Sequence, residues 1–227
     1  MINGPQLVVC GTDTDVGKTV VSALLVQGLG ATYWKPVQCG LEPGPEGGGD
    51  RDRVQRWLGL PAQRLLPEAY RLQAPVSPHW AAALESGDPQ RPGPPLDPQR
   101  LRLPAVAGPL VVETAGGLLV PLRLDLLQIE QIQRWGLPVL LVARSGLGTL
   151  NHTLLSLEAL QRRQIPVLGV LLNGPPHPNN QSTLEELGGV PIWGCLPQLA
   201  RVDAASLAQQ WQRLELSHRL GPPAQQP

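Results

Sequence analysis

The chain has 227 residues, and its 18 basic and 18 acidic side chains give a formal net charge of zero. This balance gives no electrostatic reason to expect nucleic acid or an anionic membrane as a partner. Phenylalanine is absent and aromatic residues make up only 4%, so the core must be built from Leu, Val, Ile and Ala. The three widely spaced cysteines, Cys10, Cys39 and Cys195, indicate reduced thiols in a cytoplasmic protein.

Neither the start of the chain nor its apolar runs indicate a membrane segment. The first ten residues, MINGPQLVVC, have no basic region and no long apolar run, so we expect no signal peptide. The longest apolar segments, such as 137–143, are too short to span a bilayer. A chain of 227 residues can bury one large core, so we expect a single α/β domain over residues 1–227.

Short apolar runs rich in β-branched residues recur along the chain and are bounded by Gly or Pro. This composition predicts strands buried on both faces, as in a parallel sheet. The clearest runs are QLVVC at 6–10, PLVVE at 109–113, PVLLVA at 138–143 and PVLGVLLN at 166–173, and the weaker ones are TYWK at 32–35 and VPIWGC at 190–195.

Helical patterns lie between the predicted strands. Residues 17–29 are apolar nearly all round, which predicts a largely buried helix. Apolar residues recur at spacings of three and four over 125–135 and 151–163, with Asn151 as a candidate N-cap, and 205–216 is a candidate last helix. Because strands and helices alternate, we expect an α/β fold with right-handed crossovers.

Three segments interrupt this alternation. The glycine-rich stretch 40–49 predicts a flexible loop. Residues 86–109 contain seven prolines, which predicts a long irregular excursion. The tail from 218 to 227 is expected to be frayed.

The stretch GTDTDVGKT follows the first predicted strand and opens the first predicted helix. It resembles the phosphate-binding loop G-x-x-x-x-G-K-[ST], although five residues instead of four separate Gly11 from Gly17. Amide groups at a helix N-terminus bind anions, Lys18 adds a full positive charge, and the Thr19 hydroxyl can ligate Mg²⁺. We therefore predict a polyphosphate site; the alternative is an ordinary glycine turn.

A second carboxylate follows a predicted strand. Glu113 lies at the tip of PLVVE and is followed by a turn with Gly116 and Gly117. A carboxylate at that strand end can hold Mg²⁺ directly or through water. The alternative is a solvated carboxylate at the end of a strand.

These residues occur in blocks whose order and spacing resemble the dethiobiotin synthetase family. The resemblance covers roughly residues 6–200 and implies a P-loop NTPase-like fold with a mostly parallel sheet and helices on both faces. The blocks are GTDTDVGKT at 11–19, WKPV at 34–37, APVSPHWAA at 74–82, ETAGG at 113–117 and GTLNH at 148–152.

The resemblance implies an ATP- and Mg²⁺-dependent ring closure. An amine of 7,8-diaminononanoate captures CO₂ as a carbamate, and the carbamate attacks the γ-phosphate of ATP. The second amine then attacks the carbamic–phosphoric anhydride, which gives dethiobiotin, ADP and phosphate. The family members act as homodimers.

The resemblance also implies a role for individual residues. Lys18 and Lys35 would be catalytic, and Mg²⁺ would be held by Thr19, Asp50 and Glu113. Asp52 competes with Asp50, because the length of the glycine-rich loop is not set by any motif.

The implied nucleotide site draws on several loops. Asn173 would read the adenine edge, since an amide can donate and accept at once. Thr114 stands where the family usually has glycine, so we expect no positive φ there. The full set is Asp15, Val16, Gly17, Lys18, Thr19, Val20, Asp50, Glu113, Thr114, Ala115, Gly116, Asn173, Gly174, Pro197, Gln198 and Leu199.

The implied substrate residues are Thr14, Lys35, Cys39, Gly148, Thr149, Leu150 and Asn151. Cys39 stands where the family commonly has a hydroxyl, and a thiol is a weaker donor. The turn 148–151 opens a helix and would hold the substrate carboxylate from the neighbouring subunit. His152 beside it is interpreted as structural.

Two other classes remain as alternatives. An amide-forming enzyme of the cobyrinic acid diamide synthetase type shares the fold, but usually carries a glutaminase domain for which this chain has no room. A partition-type nucleotide switch ATPase would have a second lysine near the start of the phosphate loop, and residues 11–16 contain none.

Overall fold

The computed structural model describes residues 4–42, 48–88 and 92–220. The strands are β1 Gln6–Gly11, β2 Thr32–Trp34, β3 Val37–Cys39, β4 Tyr70–Leu72, β5 Leu110–Glu113, β6 Pro121–Arg123, β7 Leu126–Leu127, β8 Val139–Arg144, β9 Val167–Asn173 and β10 Ile192–Leu196. The α-helices are α1 Lys18–Leu29, α2 Asp50–Leu58, α3 Pro78–Leu84, α4 Gln128–Trp135, α5 Thr149–Arg162, α6 Pro178–Leu187, α7 Ala204–Arg213 and α8 Leu216–Arg219.

Six strands form the central sheet in the order β10-β9-β8-β1-β5-β2, and each neighbouring pair is parallel. Alternate residues of β1 enter opposite cores. Leu7 and Val9 pack with α1 and α7, whereas Val8 and Cys10 pack with α4 and α5. Both faces are therefore covered, which explains why the strands read as continuous apolar runs. The predicted α/β fold is confirmed.

All six predicted strands belong to this sheet, while three helix boundaries differ from the prediction by two residues or more. The helix predicted over 205–216 ends at Arg213, and Leu216 begins a separate helix. Helix α5 begins at Thr149 after Gly148, so the prediction of Asn151 as its N-cap was wrong. The pattern over 125–135 includes β7, which pairs with β6 as an antiparallel hairpin before α4 begins. This short hairpin packs into a third core, which lies beside β3 and β4.

The predicted irregular segments are described in part. Within 86–109, residues 98–101 form a 3₁₀ turn and 89–91 lie outside the described residues. In the predicted flexible loop 40–49, Glu42 and Gly48 form an antiparallel bridge, and 43–47 lie outside the described residues. Helix α8 includes the start of the predicted tail, of which 221–227 lie outside.

The parallel sheet brings the loops that follow β1, β2, β5, β8, β9 and β10 to one edge. In open α/β sheets, ligands bind at the carboxyl ends of the strands. This edge therefore carries four of the five sequence blocks, at 11–19, 34–37, 113–117 and 148–152, whereas the block at 74–82 follows β4 of the separate β3-β4 sheet. Within the described ranges, no helix is long and apolar enough to span a membrane.

Candidate active site

The loop between β1 and α1 accommodates its additional residue through left-handed backbone conformations. Gly17 has a φ of 95°, and a Cβ there would lie 1.9 Å from Nδ2 of Asn173. Asp15 has a φ of 55°, a conformation that Asp tolerates better than most residues. Helix α1 starts at Lys18 without a side-chain cap, which leaves its amide groups available to an anion.

Lys18 lies inside this loop and is only 6% exposed. Its Nζ donates to the backbone oxygen of Asp13 at 2.7 Å. Burial, and secondarily the positive charge of Lys35, lowers the pKa of Lys18 to about 8. A bound phosphate would favour the charged form, so the loop is suited to an anion.

Glu113 is fully buried at the end of β5. Its Oε1 accepts hydrogen bonds from Oγ1 of Thr19 and from Nζ of Lys35, each at 2.9 Å. Its Oε2 accepts a hydrogen bond from the hydroxyl of Tyr33, also at 2.9 Å. Glu113 is thus the centre of a buried polar network, and the alternative of a solvated strand-end carboxylate was wrong.

Lys35 follows β2, is 5% exposed, and forms ion pairs with both Glu113 and Asp50. Burial by itself would lower the pKa of Lys35, but the charges of Glu113 and Asp50 raise it above its ordinary value. Burial would likewise raise the pKa of Asp50, but Lys35 brings it below its usual range. Arg53 pairs with the other Asp50 oxygen at 3.1 Å. Lys35 is therefore a charged group in a dry site.

The two candidate aspartates have different surroundings. Asp50 is the first residue of α2 and faces Lys35. Asp52 instead accepts hydrogen bonds from the backbone amide of Gly49 at 2.8 Å and from Arg71 at 2.9 Å. Asp52 is engaged at the helix N-terminus, so the geometry favours Asp50 as the carboxylate of the site.

The oxygen atoms around Lys35 fit a hard divalent cation. The ammonium group of Lys35 already lies between Asp50 and Glu113, and Thr19 contacts the same Glu113 oxygen. No cluster of three His, Cys, Asp or Glu side chains occurs in the described part of the chain. The pair Asp50 and Glu113 with the Thr19 hydroxyl is a donor set of the kind that holds Mg²⁺, which is typically bound by one or two carboxylates together with phosphate oxygens and waters.

A cavity of about 270 Å³ lies between the ends of β9 and β10 and helix α1. Nδ2 of Asn173 donates to the backbone oxygen of Val16 at 3.0 Å, which ties this cavity to the phosphate loop. The cavity is lined by Val20, Asn173, Gly174, Pro197, Gln198, Leu199 and Val202. The structure thus brings together all the residues expected around the base, and adds Val202.

The turn after β5 faces the phosphate loop. Thr114 does not have a positive φ, as expected; instead Gly116 does, at 67°. Thr114 is anchored through its amide to the oxygen of Val9 at 3.1 Å, and Ala115 is buried beside it. A Cβ on Gly117 would lie 3.3 Å from the oxygen of Thr12, so the two loops are close.

The expected substrate residues do not all lie together within one chain. The turn 148–151 follows β8, and β8 is separated from β2 and Lys35 by β1 and β5. Three strand spacings amount to about 14 Å. Gly148 and Asn151 are exposed, whereas Oγ1 of Thr149 is bonded to Thr153 at 3.2 Å.

Two further expected substrate residues, Thr14 and Cys39, differ in exposure. Thr14 is exposed at the tip of the phosphate loop. Cys39 is half-buried, and burial raises the pKa of its thiol to about 11 although the nearby Lys35 opposes this. A thiol of this kind is uncharged at neutral pH.

Sequence reasoning missed three side chains of this region. Tyr33 contacts Glu113, Arg53 contacts Asp50, and Arg144 donates to the backbone oxygen of Thr14 at 3.0 Å. A signal for Tyr33 was present, because it lies two positions before Lys35 in the predicted strand 32–35, which would place both side chains on one face. No local pattern distinguishes Arg53 or Arg144 from other surface arginines.

Comparison with known proteins agrees with this geometry. A family model described as an AAA domain matches residues 5–206. The ATP-dependent dethiobiotin synthetase BioD of Rhodopseudomonas palustris (strain ATCC BAA-98 / CGA009) is 50% identical over 202 residues, which cover 89% of this chain and 90% of that protein. The protein of the same name from Novosphingobium aromaticivorans is 48% identical over 202 residues, covering 89% and 92%.

A fused relative and a solved structure extend the comparison. The biotin biosynthesis bifunctional protein BioCD of Bordetella avium is 51% identical over 199 residues, covering 88% of this chain but 41% of that protein. The septum site-determining protein MinD of Pyrococcus horikoshii OT3, solved with Mg-ADP, has a TM-score of 0.52 at 13% identity and covers 95% of this chain and 93% of its own. That similarity concerns the P-loop NTPase fold alone. Since half of the residues are identical over nine-tenths of full-length relatives, this chain belongs to the family of ATP-dependent dethiobiotin synthetases.

Proposed function

We propose that this chain catalyses the ATP-dependent carboxylation and ring closure of 7,8-diaminononanoate to dethiobiotin, acting as one P-loop domain over residues 1–227. The observation that carries the proposal is the buried network of Lys35, Asp50, Glu113 and Thr19 beside the phosphate loop. The three free thiols fit a reducing compartment, so we place the enzyme in the cytoplasm.

The reaction has three balanced steps. One amine adds to CO₂ and loses a proton, which gives a carbamate. A carbamate oxygen attacks the γ-phosphorus of ATP, and the bond to ADP breaks. The second amine then attacks the carbamate carbon, and phosphate leaves with a proton lost from nitrogen. Because a carbamate is a weak nucleophile, alignment and charge neutralisation must provide most of the catalysis.

Lys35 has the properties this chemistry requires. Its ammonium is buried and held between two carboxylates, whose charges raise its pKa and favour the charged form. In such a site a fixed charge stabilises a developing anion without reorganisation of solvent. Lys35 is therefore assigned to the carbamate and the transferring phosphoryl group.

The phosphate loop and the base cavity hold the nucleotide. Lys18 and the amides at the start of α1 bind the β- and γ-phosphates. Thr19, Asp50 and Glu113 would hold Mg²⁺, which would supply positive charge against the phosphate groups. One Nδ2 proton of Asn173 is donated to Val16, which leaves its second Nδ2 proton and its Oδ1 for the adenine edge. Val20 and Leu199 of the same cavity would contact the faces of the base.

The substrate carboxylate is held by the turn 148–151 of a second subunit. The same turn within one chain lies across the phosphate loop from Lys35, as the strand order shows. Leu147 next to it is fully exposed and Leu155 of α5 is more than half exposed, and a partner subunit over this turn would bury both. We therefore assign the enzyme as a homodimer with shared sites.

Subunit mixing tests the shared site. Lys35→Gln and Asn151→Asp homodimers should both be nearly inactive, whereas a mixed dimer regains one complete site. Activity that rises after unfolding and refolding the two variants together supports sharing between subunits. Additive residual activity, or a monomer by light scattering, contradicts the dimer but not the reaction.

The reaction itself is tested by product. The protein is incubated with diaminononanoate, bicarbonate and Mg-ATP, and the ureido product is sought by mass spectrometry. Phosphate should be released only when both the diamine and bicarbonate are present. Slow ATP hydrolysis that ignores both would contradict the proposal and favour a nucleotide switch.

A further inference from the structure

Tyr33 is a fully buried tyrosine in the middle of β2. Its backbone pairs with Val111 of β5 on one side and bridges Leu65 on the other. Because Glu113 lies two positions after Val111, the side chains of Tyr33 and Glu113 share one face of the sheet. The strand position of Tyr33 therefore aims its ring at Glu113.

The two oxygens of the Glu113 carboxylate have different hydrogen-bond partners. The hydroxyl of Tyr33 donates to Oε2 at 2.9 Å, whereas the donors on Oε1 are Thr19 and Lys35. Oε1 thus faces the phosphate loop, and Oε2 faces the interior of the sheet. Burial and the Glu113 charge raise the pKa of Tyr33 well above its ordinary value, so the phenol keeps its proton.

Mg²⁺ and Ca²⁺ differ in how they coordinate such a carboxylate. Mg²⁺ requires near-ideal octahedral geometry, keeps several waters and takes single oxygens from its carboxylates, whereas Ca²⁺ tolerates flexible geometry and bidentate carboxylates. A partner that occupies one oxygen of a ligating carboxylate also fixes its orientation, and loss of such a partner typically costs metal affinity.

We propose that Tyr33 is a positioning residue that reserves Oε2 of Glu113, so that Glu113 meets the metal through Oε1 alone and the site favours Mg²⁺ over Ca²⁺. The inference rests on the proposed function, since it needs Glu113 to be a metal ligand. It adds a residue outside all the sequence blocks that define the site.

The test compares Tyr33→Phe with the wild type by calorimetric titration of a non-hydrolysable ATP analogue. Titrations are made without metal, with Mg²⁺ and with Ca²⁺. The variant should bind the metal-free nucleotide as the wild type does. Its gain in affinity from Mg²⁺ should fall by about 10-fold or more, and its gain from Ca²⁺ should fall much less.

Tyr70→Phe is the matched control. Tyr70 is the other tyrosine of the sequence, and its hydroxyl bonds the backbone of Asp97 away from Glu113. This variant should retain the wild-type response to both metals. Nucleotide affinity of Tyr33→Phe that falls equally with and without metal would mean that Tyr33 supports only the fold, and would overturn the inference. The same conclusion follows if Tyr70→Phe loses as much of its metal response as Tyr33→Phe.

Two outcomes separate this inference from the proposed function. If Mg²⁺ does not strengthen nucleotide binding in the wild type, the metal site and the proposed function fail together. If the wild type responds and Tyr33→Phe responds equally, only the inference fails.

Tyr33→Phe leaves a buried carboxylate oxygen unpaired and could prevent folding. In that case Tyr33→Phe/Glu113→Gln is compared with Glu113→Gln. The inference requires equal responses to metal, because Tyr33 then has no carboxylate to position. A further loss of the metal response in the double variant would overturn it.

Discussion

The two sides of the phosphate loop differ in the kinds of side chain that line them. Towards β2 and β5, the side chains of Lys35, Asp50, Glu113 and Tyr33 form a buried network of charges and hydrogen bonds. Towards β9 and β10, an open cavity of about 270 Å³ is lined mainly by apolar and amide side chains. The first side is assigned to the reacting groups and the second to the base.

The difference shows where this molecule uses desolvation. Burying charges stabilises the fold weakly, because the cost of removing them from water offsets their attraction. Their value lies in being oriented before the substrate arrives, in a place where electrostatic interactions are strong. A base, by contrast, needs shape and a few hydrogen bonds, and a half-open cavity is sufficient.

The largest effect is expected on the buried side, from Lys35→Gln. Turnover should fall by about 1,000-fold or more, because a fixed charge that acts on the transition state is lost. Affinity for the nucleotide should change by only about threefold. Steady-state kinetics and calorimetric titration measure the two quantities.

Arg53→Gln is the control for Lys35→Gln. It removes a cation from the outer oxygen of Asp50 while Lys35 remains, so less than about a tenfold loss of turnover is expected. The assignment of Lys35 is wrong if the Lys35→Gln enzyme remains active. Thermal melts accompany both variants, since an unpaired buried carboxylate costs about 3–5 kcal/mol.

Lys18→Gln tests the loop where the two sides meet. A hydrogen bond to a charged partner contributes about 1.5–3 kcal/mol, so nucleotide affinity should fall by about 10–100-fold. Calorimetric titration with ADP and with ATP measures this loss. Unchanged binding of both nucleotides would remove Lys18 from the phosphate site.

A smaller effect is expected on the base side, from Asn173→Ala. Loss of a donor and an acceptor at the base should raise the KM for ATP by about tenfold and reduce the preference for ATP over GTP. Turnover at saturation should change little. Asn180→Ala is the control, because Asn180 bonds the backbone of Ser145 at 2.9 Å and does not line the cavity. Equal changes in the KM for ATP in both variants would mean that Asn173 has only a structural role.

The smallest effect concerns Cys39, which lies on the reacting side. Since its pKa is raised to about 11, only about one Cys39 side chain in 1,000 is a thiolate at pH 8. Alkylation by iodoacetamide should be slow at pH 8 and rise about tenfold per pH unit up to pH 10. Peptide mass spectrometry distinguishes Cys39 from Cys10 and Cys195. Protection by the diamine would place Cys39 at the substrate, and fast labelling at pH 7 would contradict the raised pKa.

The strand, loop and helix that frame the proposed nucleotide site could be predicted from local sequence. The strand QLVVC, the loop GTDTDVGKT and the helix after it are contiguous, so their geometry is determined by local periodicity and glycine placement. Asn173 and Pro197, which the family resemblance assigns to the base, line one cavity because parallel strands end at the same edge. The distinction between Asp50 and Asp52 was out of reach, since it depends on how a loop of undetermined length enters α2.

The sequence by itself determined the α/β alternation and the glycine-rich loop after β1, because both depend on short-range spacing of residue types, and the resemblance of its blocks indicated the family. Only the tertiary structure decided that Glu113 receives Tyr33 on one oxygen and Thr19 and Lys35 on the other. It also showed that the turn 148–151 lies on the far side of the phosphate loop from Lys35. These features depend on strand order and register, which bring together residues up to 94 positions apart and leave no mark in local spacing.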